Sequence, residues 1–263
     1  MQLNGLQLTA DFHTHTILSH GKGTIEQNVR AAIEKGLKTV AVTDHGYAHV
    51  AYGMIPRETR EARREVDKLN QRYQRDIRIL LGVEANLTSL DGTTDIGREK
   101  RGYFDIVLMG HHKAVLPKTV KDFWHFIVKN ELKMNRRSNR DTMRALSTSA
   151  YIQAIEKYDI DIIVHPMYAI EIDILMLAGA CRDKGTAIEI NSSHVSLSDE
   201  AILLAKTTGV KFVIDSDAHI PSRVGDFQAG LDAAVRTGLT PADIINAQGY
   251  SGQLPANLGR TLV

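Results

Sequence analysis

The sequence predicts an α/β protein, one domain built as a β/α barrel around seven parallel strands. Three observations carry this expectation. Short β-branched apolar runs alternate with longer segments of helical period, the order of successive βαβ units. The centres of the runs, such as TVAVT, IVLM, DIIV and KFVI, are apolar on successive residues, as strands covered on both faces must be. The length, 263 residues with 43% hydrophobic, suffices for one large core, and barrels of this size commonly fold as a single domain, here spanning 1–263.

Leu8 to His15 is the first strand expected. A helix follows over Ile25 to Lys35, where Ile25, Val29, Ala32 and Ile33 make an apolar stripe, Thr24 is placed as N-cap with Gln27 in the capping-box position, and Gly36 stops the helix. Lys38 to His45 is the second strand. Glu58 to Arg75 is strongly charged with few apolar positions, which reads as a solvated outer helix rather than a stripe for nucleic acid. Arg78 to Asn86 is the third strand, and Leu87 to Arg101, with turn signals at Asp91-Gly92 and Gly97, is the loosest stretch, expected as a loop over the strand ends. Strands Phe104 to His112, Asp161 to His165, Thr186 to Ser192 and Lys211 to His219 then alternate with helices Arg140 to Tyr158, Ile172 to Lys184 and Asp199 to Thr208, and a helix at Phe227 to Arg236 follows the last strand. Pro241 to Val263 begins as a short helix and then loses its period, as a segment packed on a barrel end or a partner subunit would. No repeat, low-complexity stretch or Pro/Gly-rich linker marks a domain boundary.

Composition narrows the function. With 32 Lys+Arg against 31 Asp+Glu there is no global field to draw in nucleic acid or an anionic membrane, and 6% aromatic residues supply no evident stacking platform. Nucleic acid is therefore not an expected partner. The single cysteine, Cys181, lies in an expected helix and reads as a buried small hydrophobe, suited to a reducing compartment. The N-terminus MQLNGLQLTADFHTH lacks a charged segment followed by a long apolar run, and nowhere do about 18 apolar residues run together. A soluble cytoplasmic protein without membrane contact is expected.

The histidines carry the functional signal by their position. Of eleven, seven lie at or near the ends of expected strands: His13, His15, His45, His111, His112, His165 and His219. Strand ends of a parallel barrel converge on one mouth, so side chains distant in sequence meet there, and Asp44, Glu84, Asp215 and Asp217 occupy the same level. His13-Thr-His15 and Asp217-Ala-His219 have the i, i+2 spacing that points two side chains to one face of a strand, where both reach one ion or two adjacent ions. Imidazoles with carboxylates suit zinc, iron or manganese, and this many of them favour a multinuclear site. A lone histidine at a strand end is more often a hydrogen-bonded structural residue; two spaced pairs and five strand ends together argue for ligands. His49 and His125 read as surface or packing residues, and His194 as a loop residue near the mouth.

These residues resemble a known family. Ala10 to Thr16 (ADFHTHT) followed by Ser19-His20, Val42 to Gly46 (VTDHG) and Asp215 to His219 (DSDAH) are similar to motifs of the polymerase and histidinol phosphatase (PHP) superfamily. The likeness continues through Gly82 to Asn86 (GVEAN), Asp105 to His112, Ile163 to Pro166 (IVHP) and Glu189 to Ser193 (EINSS), in the family's order over nearly the whole chain. The Asn-Ser-Ser element points to the stand-alone bacterial phosphatase branch. The resemblance implies a distorted seven-stranded, TIM-like β/α barrel and three divalent metal ions. It implies that His13, His15, Glu84 and Asp217 hold the first ion, that Glu84 bridges to a second held also by His112 and His165, and that His20, His45 and His219 hold the third. His111 and His112 are adjacent where the family usually shows one histidine; spacing from Asp105 selects His112, and neighbouring strand residues point to opposite faces. His49 is near enough to His45 to compete for its place.

The activity expected is hydrolysis of phosphate esters, most of all small phosphomonoesters, by metal-bound hydroxide at a trinuclear site with His13, His15, Glu84 and Asp217 at its catalytic centre. Lys113 and Arg223 follow ligand-bearing strand ends and are candidates to bind the substrate phosphate; Ser19, Ser216 and Thr43 are read as groups that orient ligands. Two alternatives stand beside this: a phosphodiesterase or exonuclease acting on nucleic acid, and a metal-binding module without catalysis. An amidohydrolase shares the opening His-x-His but fits the ligand order poorly.

Overall fold

Seven parallel strands lie side by side in the order in which the chain makes them: β1 (Ala10–Asp11), β2 (Thr39–Val42), β3 (Arg78–Asn86), β4 (Ile106–Gly110), β5 (Ile162–Ile163), β6 (Ala187–Asn191) and β7 (Phe212–Asp215). The structure, a computed structural model, describes residues 2–3, 5–129 and 137–261. Each expected strand is present, and β3 has the expected bounds, but most ladders stop short of the histidines. The chain leaves the ladder there to turn side chains into the mouth. At two such places a non-glycine residue takes a positive φ, 28° at His165 and 50° at Asp217, conformations that persist only where the surroundings enforce them.

Helices cover the outside. The helix α1 (Ile25–Glu34) has the expected capping box, with Thr24 accepting from the Gln27 amide and Gln27 reaching back to the Thr24 amide. The others are α2 (Pro56–Arg72), the single turn α3 (Val120–Phe123) running into a π-helical turn at Trp124–Lys129, α4 (Arg137–Lys157), α5 (Ile174–Lys184), α6 (Asp199–Lys206), α7 (Gln228–Arg236) and α8 (Ala256–Thr261). In β2 the alternation decides the layers: Val40 and Val42 face the helices, whereas Ala41 joins Phe12, Leu80, Leu108 and Val213 inside the barrel. Cys181 is buried on α5. No described helix is long and apolar enough to cross a membrane.

The barrel closes on side chains. Between β1 and β7 there is one backbone bridge, Thr14 with Ala218, where the His15 amide donates to the Ala218 carbonyl at 2.8 Å. Below it, Asp215 accepts from the Phe12 amide at 2.7 Å, and Asp11 accepts from the Ser216 amide at 3.1 Å, the Ser216 hydroxyl at 2.6 Å and the Gly225 amide at 2.9 Å. Burial pushes the Asp11 carboxyl up to about 6, and burial together with the nearby Asp11 holds Asp215 well above the carboxylate range. At the foot of the seam Asn246 donates to the Ala10 and Ile214 carbonyls at 2.9 and 2.7 Å and accepts from the Ile214 amide at 3.2 Å.

Two expectations are corrected. The helix foreseen from Pro241 is instead a run of turns, because its backbone bonds to β7: Phe212 donates to the Asp243 carbonyl and Ile245 to that of Phe212, both at 2.8 Å. A helix forms only later, at α8, whose Leu258 plugs the inner core. The stretch Leu87 to Arg101 is also more ordered than foreseen. Asp95 within it accepts from the Asn86 amide and side chain at 2.8 and 2.7 Å and from the Ala48 amide at 2.8 Å, and a 3-10 turn spans Arg98–Tyr103.

Candidate metal centre

Nine side chains meet at the C-terminal mouth: His13 and His15 beyond β1, His20 in the turn after them, His45 beyond β2, Glu84 within β3, His112 beyond β4, His165 beyond β5, and Asp217 and His219 beyond β7. Thr14 makes the closing bridge, and its neighbours His13 and His15 fall together on the inner side. Their Nε2 atoms lie 3.2 Å apart.

Glu84 stands at the centre. Its Oε1 lies 2.9 Å from His112 Nε2 and 2.8 Å from His165 Nε2. Its Oε2 lies 2.8 Å from His45 Nδ1, 3.5 Å from His15 Nε2 and 3.6 Å from His13 Nε2. Asp217 Oδ1 lies 3.3 and 3.6 Å from the same two imidazole nitrogens of His15 and His13. His20 and His219 close the far side, their rings 4.0 Å apart, with His219 stacked on His15 at 4.4 Å. The geometry joins His45 to Glu84 and His112, and His15 to His20 and His219, where the resemblance had joined His45 with His20 and His219. His45 is in touch with both sides, its ring parallel to that of His20 at 4.9 Å.

The electrostatics ask for cations. Burial alone would raise Glu84 and Asp217, but the imidazoles around them outweigh it and hold both well below the usual carboxylate range. Burial alone would lower His13, yet Asp217, Glu189 and Glu84 outweigh it and hold its ring well above the usual value. Burial pushes His15 down to about 4, and burial with the neighbouring His219 and His45 does the same to His20, so these rings offer lone pairs.

The donors fit divalent ions. Buried and without a hydrogen-bond partner among the described residues are Asp217 Oδ1, His20 Nδ1 and His219 Nε2, atoms that a folded protein rarely leaves unpaired, and Glu84 Oε2 and His45 Nδ1 have only each other, at 2.8 Å and off hydrogen-bond geometry. Tetrahedral ligands about 2.1 Å from an ion sit roughly 3.4 Å from one another. The 3.3 to 3.6 Å contacts among His13, His15, Glu84 and Asp217 have that spacing.

A second layer of contacts sets the rings. His13 Nδ1 lies 2.7 Å from Glu189, which also accepts from the His165 amide at 2.6 Å and from Asn191 at 2.9 Å. His112 Nδ1 lies 2.8 Å from Asn86 Oδ1, and His15 Nδ1 lies 3.3 Å from the Ser19 hydroxyl, itself donating to Asp44 at 2.5 Å. The outer oxygen of Asp217 is met by His194 Nδ1 at 2.8 Å and Asn191 at 3.1 Å. Sequence reasoning gave Ser19 an orienting role but gave Glu189 none. Its signal was a carboxylate between Ile188 and Ile190 in a strand buried throughout. Thr43 and Ser216 bond instead to Thr14 and Asp11, in the frame beneath the site.

The remaining candidates lie around this centre. His111 turns away toward Phe126, buried, with neither ring nitrogen hydrogen-bonded among the described residues, while His112 enters the cluster. His125 pairs with Ser147 at 3.1 Å, away from the nine. Lys113 is exposed beside His112. Arg223 is exposed and its guanidinium lies 3.2 Å from Asp226. His49 does not stand apart from the site: its ring stacks on His45 at 4.6 Å.

A family model described as PHP domain matches residues 11–239. The chain is 32% identical over 259 residues to a protein of Thermoanaerobacter sp. (strain X514) named probable phosphatase, covering 92% of this chain and 91% of that one. It is 29% identical over 252 residues to the DNA polymerase/3'-5' exonuclease PolX of Bacillus subtilis, covering 92% of this chain but only 40% of the polymerase. Among solved structures, histidinol phosphate phosphatase of Lactococcus lactis, determined with zinc, L-histidinol and phosphate, superimposes with a TM-score of 0.61 over 88% of this chain and 94% of that one. At 14% identity that likeness is one of fold.

Proposed function

This chain belongs to the PHP domain family, and we propose that, as a metal-dependent phosphoesterase, it hydrolyses small phosphomonoesters at three divalent ions held by the nine side chains of the mouth. The observation that carries this reading is Glu84. One oxygen faces His112 and His165 and the other faces His13, His15 and His45, so Glu84 would help to hold ions on both of its sides. Zinc, manganese and iron all suit the donor set. When bound, such ions neutralise phosphoryl oxygens, activate a water and stabilise the leaving oxygen.

The chain's own residues supply order. Glu189 fixes the hydrogen of His13 on Nδ1 in its neutral form and leaves Nε2 to ligate; Asn86 does the same for His112. The buried frame of Asp44, Thr16 and Ser19 holds the turn that carries His15 and His20. Lys113 and Arg223 are proposed as phosphate contacts; the Arg223 guanidinium also lies 3.2 Å from Asp226. A small substrate agrees with the depth of the centre, where His13, His15, Glu84 and Asp217 are nearly inaccessible.

A second reading, cleavage of a nucleic-acid diester, is favoured by the likeness to the exonuclease-bearing polymerase over 92% of this chain. Initial rates on a phosphomonoester and its matching diester, with manganese, zinc and iron loaded in turn, decide between them. A monoester preference that is lost in His13→Ala and Asp217→Ala is expected. A diester preference favours the second reading, and a fully loaded protein silent on both is a metal-binding module.

A further inference from the structure

His49 is held more firmly than a loop residue outside a site needs to be. It lies on the segment that follows β2, and that segment is stitched to the one that follows β4: His49 bridges Val115, the Val50 amide donates to the Ala114 carbonyl at 2.8 Å, and the Leu116 amide donates to that of Ala48 at 2.9 Å. The Gly53 amide closes the segment on the His49 carbonyl at 2.9 Å. The ring lies within 14° of parallel to His45, and its centroid is 6.0 Å from that of His112, so it flanks the Glu84–His45–His112 side of the cluster.

The backbone also decides where the ring carries its hydrogen. The Tyr52 amide donates to His49 Nδ1 at 3.2 Å. An amide can only donate, so Nδ1 keeps its lone pair and the hydrogen sits on Nε2. A neutral imidazole has one lone-pair nitrogen, and here the Tyr52 amide takes it; His49 therefore presents an N–H. That Nε2 belongs to a partly exposed ring, and the hydrogen bond the ring makes to the described residues is at Nδ1.

Five of the nine ligands lack such a group. Carboxylates only accept, and the outward nitrogens of His13, His15 and His112 are occupied by Glu189, Ser19 and Asn86. An N–H beside the ions adds a directional hydrogen bond to a phosphoryl oxygen.

We propose that His49 is a phosphate-binding residue, its Nε2–H donating to a non-bridging oxygen of a phosphoryl group held at the Glu84–His45–His112 side of the cluster. This rests on the phosphoesterase reading above. The test is titration of the manganese-loaded protein with inorganic phosphate, followed by calorimetry, with metal content measured on each sample. His49→Asn keeps an acceptor for the Tyr52 amide but has no donor that reaches as far as Nε2; His49→Gln places an amide N–H near the Nε2 position. Phosphate affinity should fall roughly tenfold to a hundredfold in His49→Asn, as for a lost hydrogen bond to a charged group, and stay within a few fold of the parent in His49→Gln, with metal content unchanged in both. Unchanged affinity in His49→Asn, equal losses in the two variants, or a lower metal content in either would overturn the assignment. A loaded parent protein that binds no phosphate would instead overturn the phosphoesterase reading, and this assignment with it.

Discussion

Glu189 touches no ligand atom of its neighbours that faces the cluster, yet it holds three groups at once: the His13 ring, the His165 amide and the Asn191 side chain. Replacing it with glutamine keeps the volume and removes the charge that sets the His13 hydrogen. Glu189→Gln is expected to lower metal affinity or turnover by about 10 to 100-fold with little loss of fold, read by metal content and initial rate side by side. At this scale the sequence was legible where a residue type and a spacing declared themselves. The His13/His15 and Asp217/His219 pairs were read from the two-residue period of a strand, and His112 was chosen over His111 by its spacing from Asp105 in the family resemblance. His49 was not legible, because its role depends on a bond from the Tyr52 amide that no pattern of side chains records.

Elements were legible in their centres and not at their ends. TVAVT and KFVI are strands because both faces are covered, a property written in consecutive apolar residues; the point at which the ladder gives way to the mouth depends on tertiary contacts such as those of Asp44 with Thr16 and Ser19. The segment after β2 shows what such an end needs. A Cβ on Gly53 would lie 2.6 Å from the Gly46 carbonyl oxygen and 2.7 Å from that of His49, backbone atoms with nowhere to go. Gly53→Ala is expected to cost about 1 to 3 kcal/mol and to loosen this segment, seen as a lower melting temperature and faster proteolysis near residue 50. Gly102→Ala, where nothing lies within 4 Å, should leave both unchanged.

For the whole molecule, clustered lone pairs and carboxylates cost stability until cations arrive. Removing metal with a chelator should lower the melting temperature, and adding back an ion at a hundred times its dissociation constant should restore about 2.7 kcal/mol per site. His13→Ala and Asp217→Ala should blunt that response. The seam makes a separate prediction. Asn246→Ala leaves the buried Ala10 carbonyl and the Ile214 amide without their side-chain partner, so a loss of about 1 to 3 kcal/mol per group is expected in the denaturant midpoint. An unchanged midpoint would show that the barrel closes without this side chain.

The same seam sets an order in time. The Asp215 carboxylate that caps the Phe12 amide lies 203 residues further along the chain, and Asn246 lies 236 residues beyond the Ala10 carbonyl it holds. His13 and His15 are made well before Asp217 and His219, and the segment that locks them beside the first strand comes later still. A half-made chain can fold helices against its early strands but cannot assemble the full ligand set. Tight metal uptake therefore waits until the segment that carries Asn246 has been made, when closing the barrel and filling the site become one event.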